Sequence, residues 1–485
     1  MDEIKLTFLC HADFSGRIRR SREDIGFCAF HAEVERLRAH DPEGTLLLDA
    51  GDAFCTNYWG GLPLVRAMER NGTDAIVLGN HEFDRGRAFL EECIAACPFP
   101  VLCANVRKRT GEPIPGTKPY VLLKRCGVQI GILGLTTEYT PYMVEASAFS
   151  EFEMTSAAQA AERYIPQLRA QGAEVVVVLT HMPFYMDGGT LSGELIDLIK
   201  ASPEADVWVG GHIPGDVACC LDGACVVKAG FGGASIARAE LTLDAQTHRV
   251  LKRTCQIVHT DPEGRADAET ERYIHSVTDP FEPYFREVLT QSTALWRMTL
   301  AHESALGDFL ADCLRSGGGT ELAYMNATGA CGKIEPGAVT REELLYCAAY
   351  NDELFTGEIT GRQLWALMEA VYEPERFGNN AALCFSGFHV RVDHTRPGGQ
   401  KILAVTLPDG TPVLPERRYS VTTSAYMASG GNGTSCIAKE IDWKPTGKHF
   451  HDVVCAYATE LGTLRVADMP RLAETGEPEN NHAPY

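Results

Sequence analysis

Positive charge is scarce in this chain: 44 Lys and Arg stand against 65 Asp and Glu, a formal net charge of −21 over 485 residues. A broad surface for nucleic acid or an anionic membrane is thereby disfavoured, so the expected partner is a small molecule, neither a nucleic-acid polymer nor a membrane. Long apolar runs are missing too, and none approaches the roughly 18 residues of a membrane span. The start Met1-Asp2-Glu3-Ile4-Lys5 lacks the basic region and long apolar core of a secretory signal. Paired cysteine spacing is also absent. Of 17 cysteines none falls in C-x-x-C, and most stand singly in apolar surroundings, as Cys10, Cys28, Cys126 and Cys384 do. An odd, scattered set favours reduced core thiols and a cytoplasmic protein over a disulfide framework. The adjacent Cys219 and Cys220 read as structural.

What is present is the texture of a folded α/β protein with room for two domains of roughly 200 residues each. Short apolar runs at 6–10, 46–48, 75–78, 128–135, 175–179 and 207–209 read as strands, several buried on both faces. Between them, 30–40, 62–70, 157–169 and 193–201 carry helical spacing, and Asn71-Gly72 and Gln171-Gly172 read as helix stops. The expected organisation is a first domain over 1–255 and a linker with helical pieces over 256–300, opened by Asp261-Pro262-Glu263-Gly264. A second domain follows over 301–468, with helices at 304–316 and 361–372 and strands at 388–392 and 419–423, then a tail over 469–485, disordered from Glu474.

Open α/β sheets bind ligands beyond the carboxyl ends of their strands, and five strand ends here carry polar residues. Asp13 follows the first strand and Asp52 the second; Asn80 and His81 follow the third, and His181 and His212 the later two. Gly79-Asn80-His81-Glu82-Phe83-Asp84 gathers an amide, an imidazole and carboxylates on one loop. Each residue alone has a plain alternative: Asp13 and Asp52 as helix caps, His181 and His212 as satisfied core histidines. Together they offer the oxygen and imidazole donors that metal-assisted phosphoester chemistry uses.

In ordered sequence these segments resemble the calcineurin-like metallophosphoesterases, specifically the two-domain 5'-nucleotidase and UDP-sugar hydrolase family. The resemblance rests on residues 10–17, 49–52, 79–84, 179–181 and 210–214, and in the second domain on 303–308 and 429–433. It implies a four-layer α/β/β/α sandwich followed by an α+β substrate domain. It also implies a divalent metal ion (Mn, Zn, Co or Mg), with Asp52, Asn80, His181 and His212 as ligands and Asp13 near a second ion. His81 would be the catalytic histidine, held by Asp84, and a phosphorylated small molecule the substrate. Where the family pattern has two further histidines, this chain has Ser15 and Pro214, so one metal site is expected to be well formed and the other weak or absent. His11, two residues from Asp13, is a replacement ligand to consider, since extended backbone would place both on one face.

The resemblance implies an aromatic clamp for a base in the second domain. Tyr426 lies near one position, and the other falls near Leu383, with Phe385 and Phe388 close by. Cys331 stands where the family has a phosphate-gripping Arg, with Lys333 nearby, and Asn432 stands where it has an Asp expected to meet a ribose hydroxyl. Three readings stay open: a nucleotide phosphomonoesterase, a non-catalytic nucleotide binder, and a hydrolase of another ester on the same scaffold.

Overall fold

Successive side chains of a strand point to opposite faces, and the run Val175-Val176-Val177-Val178 is buried on both. Val175 and Val177 meet Leu6, Phe8, Leu46, Leu48 and Val77 of a second sheet, while Val176 and Val178 meet Ala161, Ile165, Leu168, Leu195 and Ile196 of covering helices. Such runs therefore need helix, sheet, sheet and helix layers. The computed structural model describes residues 3–21, 24–54, 59–300, 302–372, 383–432, 434–466 and 470–476, and the chain divides into two units between Pro280 and Phe281.

In the first unit one sheet has the order Val250–His259, Ser235–Asp244, Glu3–His11, Thr45–Asp49, Ala75–Val77, Val101–Leu102, Thr117–Lys118. The other runs Val217–Leu221, Ala224–Lys228, Val207–Val209, Val175–His181, Val128–Thr136, Tyr120–Arg125. Glu3–His11, Thr45–Asp49 and Ala75–Val77 pair in parallel, as do Val128–Thr136, Val175–His181 and Val207–Val209. All six thus end at the carboxyl edges of their sheets.

The first unit reaches further than the expected boundary at 255. Val250–His259 is an edge strand of its sheet, and helix Ala268–Thr278 is capped by Asp267, which accepts the N–H groups of Glu269 and Thr270. That helix buries Ile274, Tyr273 Oη donates to the Pro63 carbonyl at 2.7 Å, and Trp59 Nε1 donates to the Val277 carbonyl at 3.0 Å. Most of the stretch expected as a linker is therefore folded structure, and Val288–Ser292 already pairs with Gly337–Thr340 in the second unit.

The second unit centres on a five-stranded sheet, Leu383–Ser386, Leu322–Asn326, Arg418–Ser424, Glu353–Thr360, Lys444–His449. Helix Ala305–Gly318 starts at Ser304, whose Oγ accepts the Gly307 N–H, and stops at left-handed Gly319. Helix Phe450–Leu461 buries Val453, Val454 and Ala458 in the same core.

Leu472–Thr475, placed in the expected tail and expected to be disordered from Glu474, is a strand parallel to His389–Asp393. Leu472 is buried, and Glu303 accepts the backbone N–H groups of Arg471 and Leu472 at 2.5 and 3.0 Å. A carboxylate about 170 residues earlier supplies this contact, so local composition misleads there. Of the expected tail, residues 469 and 477–485 lie outside the described residues. Glu303→Ala removes the charged acceptor for both amides and is expected to cost about 2 kcal/mol. A lowered urea-unfolding midpoint checks this; an unchanged midpoint would show that Glu303 does not secure the strand.

Candidate metal centre

The five strand ends singled out in the sequence converge. Thr45–Asp49 leads to Asp52 and Ala75–Val77 to Asn80, and the two loops pass so closely that a Cβ on Gly79 would stand 2.1 Å from Asp52 Oδ1. Only glycine fits there. Asp13, Ser15, Asp52 and His212 all hold left-handed backbone, with φ of 55, 52, 57 and 76°. Non-glycine residues adopt that conformation at a cost of about 1 kcal/mol or more each, a strain that gathers at functional sites.

The loops are fastened by Glu82. Its wholly buried carboxylate accepts the N–H groups of Asp52, Ala53, Phe54 and Gly79 at 2.9, 2.7, 2.8 and 2.5 Å. Asp52 Oδ1 then accepts the His81 N–H at 2.9 Å, and the Asp13 N–H donates to the Gly51 carbonyl at 2.8 Å. Glu82 was legible as part of the loop, yet its role as an acceptor for buried backbone donors depends on the loop approach, which no local pattern encodes.

Asp52, His181 and His212 each place a ligand atom within 4.8 Å of the others. His181 is fully buried; its Nδ1–H donates to the Ala50 carbonyl at 2.7 Å, which leaves Nε2 facing Asp52 Oδ2 at 3.0 Å. Two lone-pair donors so close require a positive centre, either a proton or a metal ion. Burial favours the neutral ring, but the Asp52 charge outweighs it and pushes His181 up to about 9. Burial likewise opposes the Asp52 carboxylate, but His181 and His81 hold it well below the usual carboxylate range. Asn80 Oδ1 and His212 Nδ1 are buried atoms with no hydrogen-bond partner, and His181 Nε2 has the Asp52 carboxylate beside it. One carboxylate, one amide oxygen and two imidazoles fit a borderline divalent cation.

The other predicted ligands lie alongside this set. Asp13 Oδ2 accepts the His212 N–H at 3.0 Å and is not among the three converging donors. Ser15 donates its hydroxyl to the Asp52 carbonyl at 3.3 Å. Pro214 offers only its carbonyl, which accepts from Lys228 Nζ at 3.1 Å. His11 does not join the centre either. The strand ends at His11 and Asp13 turns left-handed, so the shared face expected of extended backbone is lost. His11 instead packs against Phe30, with ring centroids 4.7 Å apart, and beside Asp49 at 3.8 Å.

His81 is open to approach: its side chain is 20% exposed, and Nδ1 bonds Asp84 Oδ2 at 2.8 Å. Burial disfavours its charge, but Asp84, with Asp52 behind it, pushes the ring up to about 10. Lys228, unnoticed in the sequence, is a second cation nearby. It is buried, and its ammonium also donates to the Phe184 carbonyl at 3.0 Å. Burial pulls it down to about 8 against Asp13 and Asp216. The one available signal was a lone lysine ending the apolar run Ala224-Cys225-Val226-Val227.

In the second unit, considered by itself, the expected clamp residues take other places. Phe385 is buried in the core and stacks on Phe388 at 4.6 Å, because Leu383–Ser386 is hydrogen-bonded inside the sheet. Leu383 is buried with it. Tyr426 lies under Gly431, and its hydroxyl accepts the Asn432 N–H at 3.0 Å, bracing the turn in which Asn432 is left-handed. Cys331 donates its thiol to the Tyr346 carbonyl at 2.9 Å, and Lys333 pairs with Glu335 at 2.9 Å.

Comparison with known proteins follows this division. Residues 24–216 match the calcineurin-like phosphoesterase family, and residues 288–439 match the 5'-nucleotidase C-terminal domain. The chain is 27% identical over 465 residues to the endonuclease YhcR of Bacillus subtilis (strain 168), which covers 88% of this chain but 37% of that longer protein. It is 24% identical over 536 residues to the 5'-nucleotidase of Diplobatis ommata, covering 97% of this chain and 90% of that one. The crystal structure of the 5'-nucleotidase precursor from Thermus thermophilus has a TM-score of 0.83 at 23% identity, covering 98% of this chain and 100% of that one, a likeness of fold.

Glu82→Gln would turn amide hydrogens toward backbone donors and lose the charge that attracts them. The expected cost is about 2–3 kcal/mol, with weaker metal uptake. Chemical denaturation and metal titration check this together, and a variant as stable as the parent would remove Glu82 from its fastening role.

Proposed function

Because the chain belongs to the family that joins a calcineurin-like phosphoesterase domain to a 5'-nucleotidase C-terminal domain, we propose that it hydrolyses nucleotide or nucleotide-like phosphomonoesters with one complete cation site. The convergence of Asp52, His181 and His212 beside the carboxylate-held His81 carries the reading. The match to a 5'-nucleotidase along 97% of this chain supports the substrate class. The net charge of −21 favours a small anion, drawn in locally, over a nucleic-acid polymer, although one relative is named an endonuclease. The scattered cysteines support a reducing, cytoplasmic setting.

A divalent cation held by Asp52, Asn80, His181 and His212 would supply positive charge that polarises a phosphoryl oxygen and acidifies water. The chain's own residues do the rest. Ala50 fixes the His181 tautomer through Nδ1–H, so that Nε2 is the ligand atom. Asp84 fixes His81 in the same way and stabilises its imidazolium. The His81 imidazolium then hydrogen-bonds through Nε2–H to the substrate and passes that proton to the leaving oxygen as its bond to phosphorus breaks; the attacking water forms the new phosphorus–oxygen bond and gives its proton to solvent, from which His81 is reprotonated. At the flank where Ser15 and Pro214 give no imidazole, the buried Lys228 ammonium contributes a fixed positive charge, held by the Pro214 and Phe184 carbonyls.

Elemental analysis of the purified protein beside Asp52→Asn is expected to show that this substitution removes one tightly held ion per chain; loss of two ions on that substitution would overturn the single-site reading. Nucleoside monophosphates, a UDP-sugar and DNA are assayed with manganese, cobalt, zinc and magnesium. The expected result is monophosphate turnover that falls about 10²–10⁴-fold in His81→Ala with the ion retained. Nucleotide binding without turnover under every metal would instead establish the binder, for which Ser15 and Pro214 speak. Lys228→Met is expected to lower kcat about tenfold with little change in metal content, and an unchanged kcat would remove the lysine from the reaction.

A further inference from the structure

The first unit carries a second convergence of metal-ligating atoms, remote from the first in kind. Cys220 and Cys225 face each other across the antiparallel hairpin of Val217–Leu221 and Ala224–Lys228, and Cys255 comes from Val250–His259, an edge strand of the opposing sheet. Their three sulfurs lie within 4.8 Å of one another, with Cys220 and Cys255 4.0 Å apart. Cys225 is buried, Cys255 half-buried and Cys220 exposed. Ala224–Lys228 carries Cys225 near its start and Lys228 at its finish, so the thiols sit at the opposite end of that strand from the phosphoester centre.

Three sulfurs bound at ~2.3 Å to one ion stand ~3.8–4.0 Å from each other in tetrahedral or trigonal geometry, so this arrangement needs little movement to close on a cation. A disulfide, by contrast, needs two sulfurs at ~2.05 Å and leaves the third unused. Inert packing accounts for the buried members but not for a cluster that reaches solvent at Cys220. A further observation concerns Arg253, two residues before Cys255 and on the same strand face. Its Nη2 donates to Asp206 Oδ1 at 3.1 Å, while its Nε–H is buried without an acceptor. A thiolate sulfur would give that N–H a partner.

We propose that Cys220, Cys225 and Cys255 form a thiolate site for a thiophilic d10 cation, Zn2+ or Cu+. Binding breaks three S–H bonds and forms three metal–sulfur bonds; the three protons pass to solvent and no group changes oxidation state. Water entering past Cys220 completes a tetrahedral Zn2+ site, whereas Cu+ is satisfied by the three sulfurs alone. The spacing of the three cysteines, adjacent to nothing that resembles C-x-x-C, kept the site out of view in the sequence.

The test uses the full-length protein, reduced and freed of metal. Cobalt(II) titration is expected to give thiolate-to-cobalt charge-transfer absorption, which an oxygen and imidazole site does not produce. At saturation the band should account for one thiolate-bound cobalt per chain, beyond any cobalt held at Asp52, His181 and His212, and Zn2+ should displace it. In a second arm, Cu+ delivered as a weak chelate is expected to give copper–thiolate luminescence; tighter retention in one arm names the physiological ion. Cys220→Ser, at an exposed position, should weaken binding by more than ~10-fold while phosphoester hydrolysis is unchanged, and Cys126→Ser should bind as the parent does. No thiolate band with either metal would overturn the proposal, as would a band that survives in both Cys220→Ser and Cys255→Ala. Air oxidation that consumes two thiols in a protein taking up no metal would assign the cluster to a disulfide instead. None of these outcomes depends on whether the other centre hydrolyses phosphoesters.

Discussion

Glu82 turns both carboxylate oxygens onto four backbone N–H groups, and in doing so closes the loop after one strand onto the loop after its neighbour. Buried amide hydrogens that lack an acceptor cost more than a made hydrogen bond returns, so this one side chain decides whether the loops can meet. Everything at the centre follows from that meeting. Asp52 is brought to the His81 amide, Gly79 passes against Asp52, and the left-handed turns at Asp13, Ser15 and Asp52 are held where isolated chain would relax. A charged side chain that touches no substrate thus fixes those that would.

The ordered strands and the polar residues at their ends were legible because two simple periodicities carry them. The runs at 175–179 and 207–209 announce buried parallel strands, and helix Leu62–Arg70 falls on its expected residues. What was not legible depends on residues far apart in the chain. Leu472–Thr475 looks like tail until Glu303 is seen holding it, and Phe385 looks like a clamp residue until its sheet neighbours are known. The placement of His11 failed for a more local reason: the extended backbone assumed for it ends at His11 itself, two residues before Asp13. Cys220, Cys225 and Cys255 illustrate the limit most plainly, since three strands from two sheets bring them together.

The two halves of the phosphoester centre have different physical characters. On the Asp52 side, buried lone pairs outnumber hydrogens and invite a cation. On the other, the Ser15 hydroxyl donates to the Asp52 carbonyl and the Pro214 carbonyl accepts from Lys228, and that lysine ammonium supplies positive charge covalently attached to the fold. An ammonium cannot acidify water as a metal ion does, but it needs no supply from solution and does not dissociate.

The Leu472–Thr475 strand also bears on how the protein is made. Among the described residues the strands of the first unit all precede Phe281, so its sheets have their strand partners while the ribosome is still elongating the chain. The second unit does not, since His389–Asp393 waits for a parallel partner and Glu303 for two amide hydrogens until the segment around residue 472 has emerged. The order of synthesis therefore imposes an order of assembly, in which the half that carries Asp52, His181 and His212 matures first and the second half waits for Leu472–Thr475.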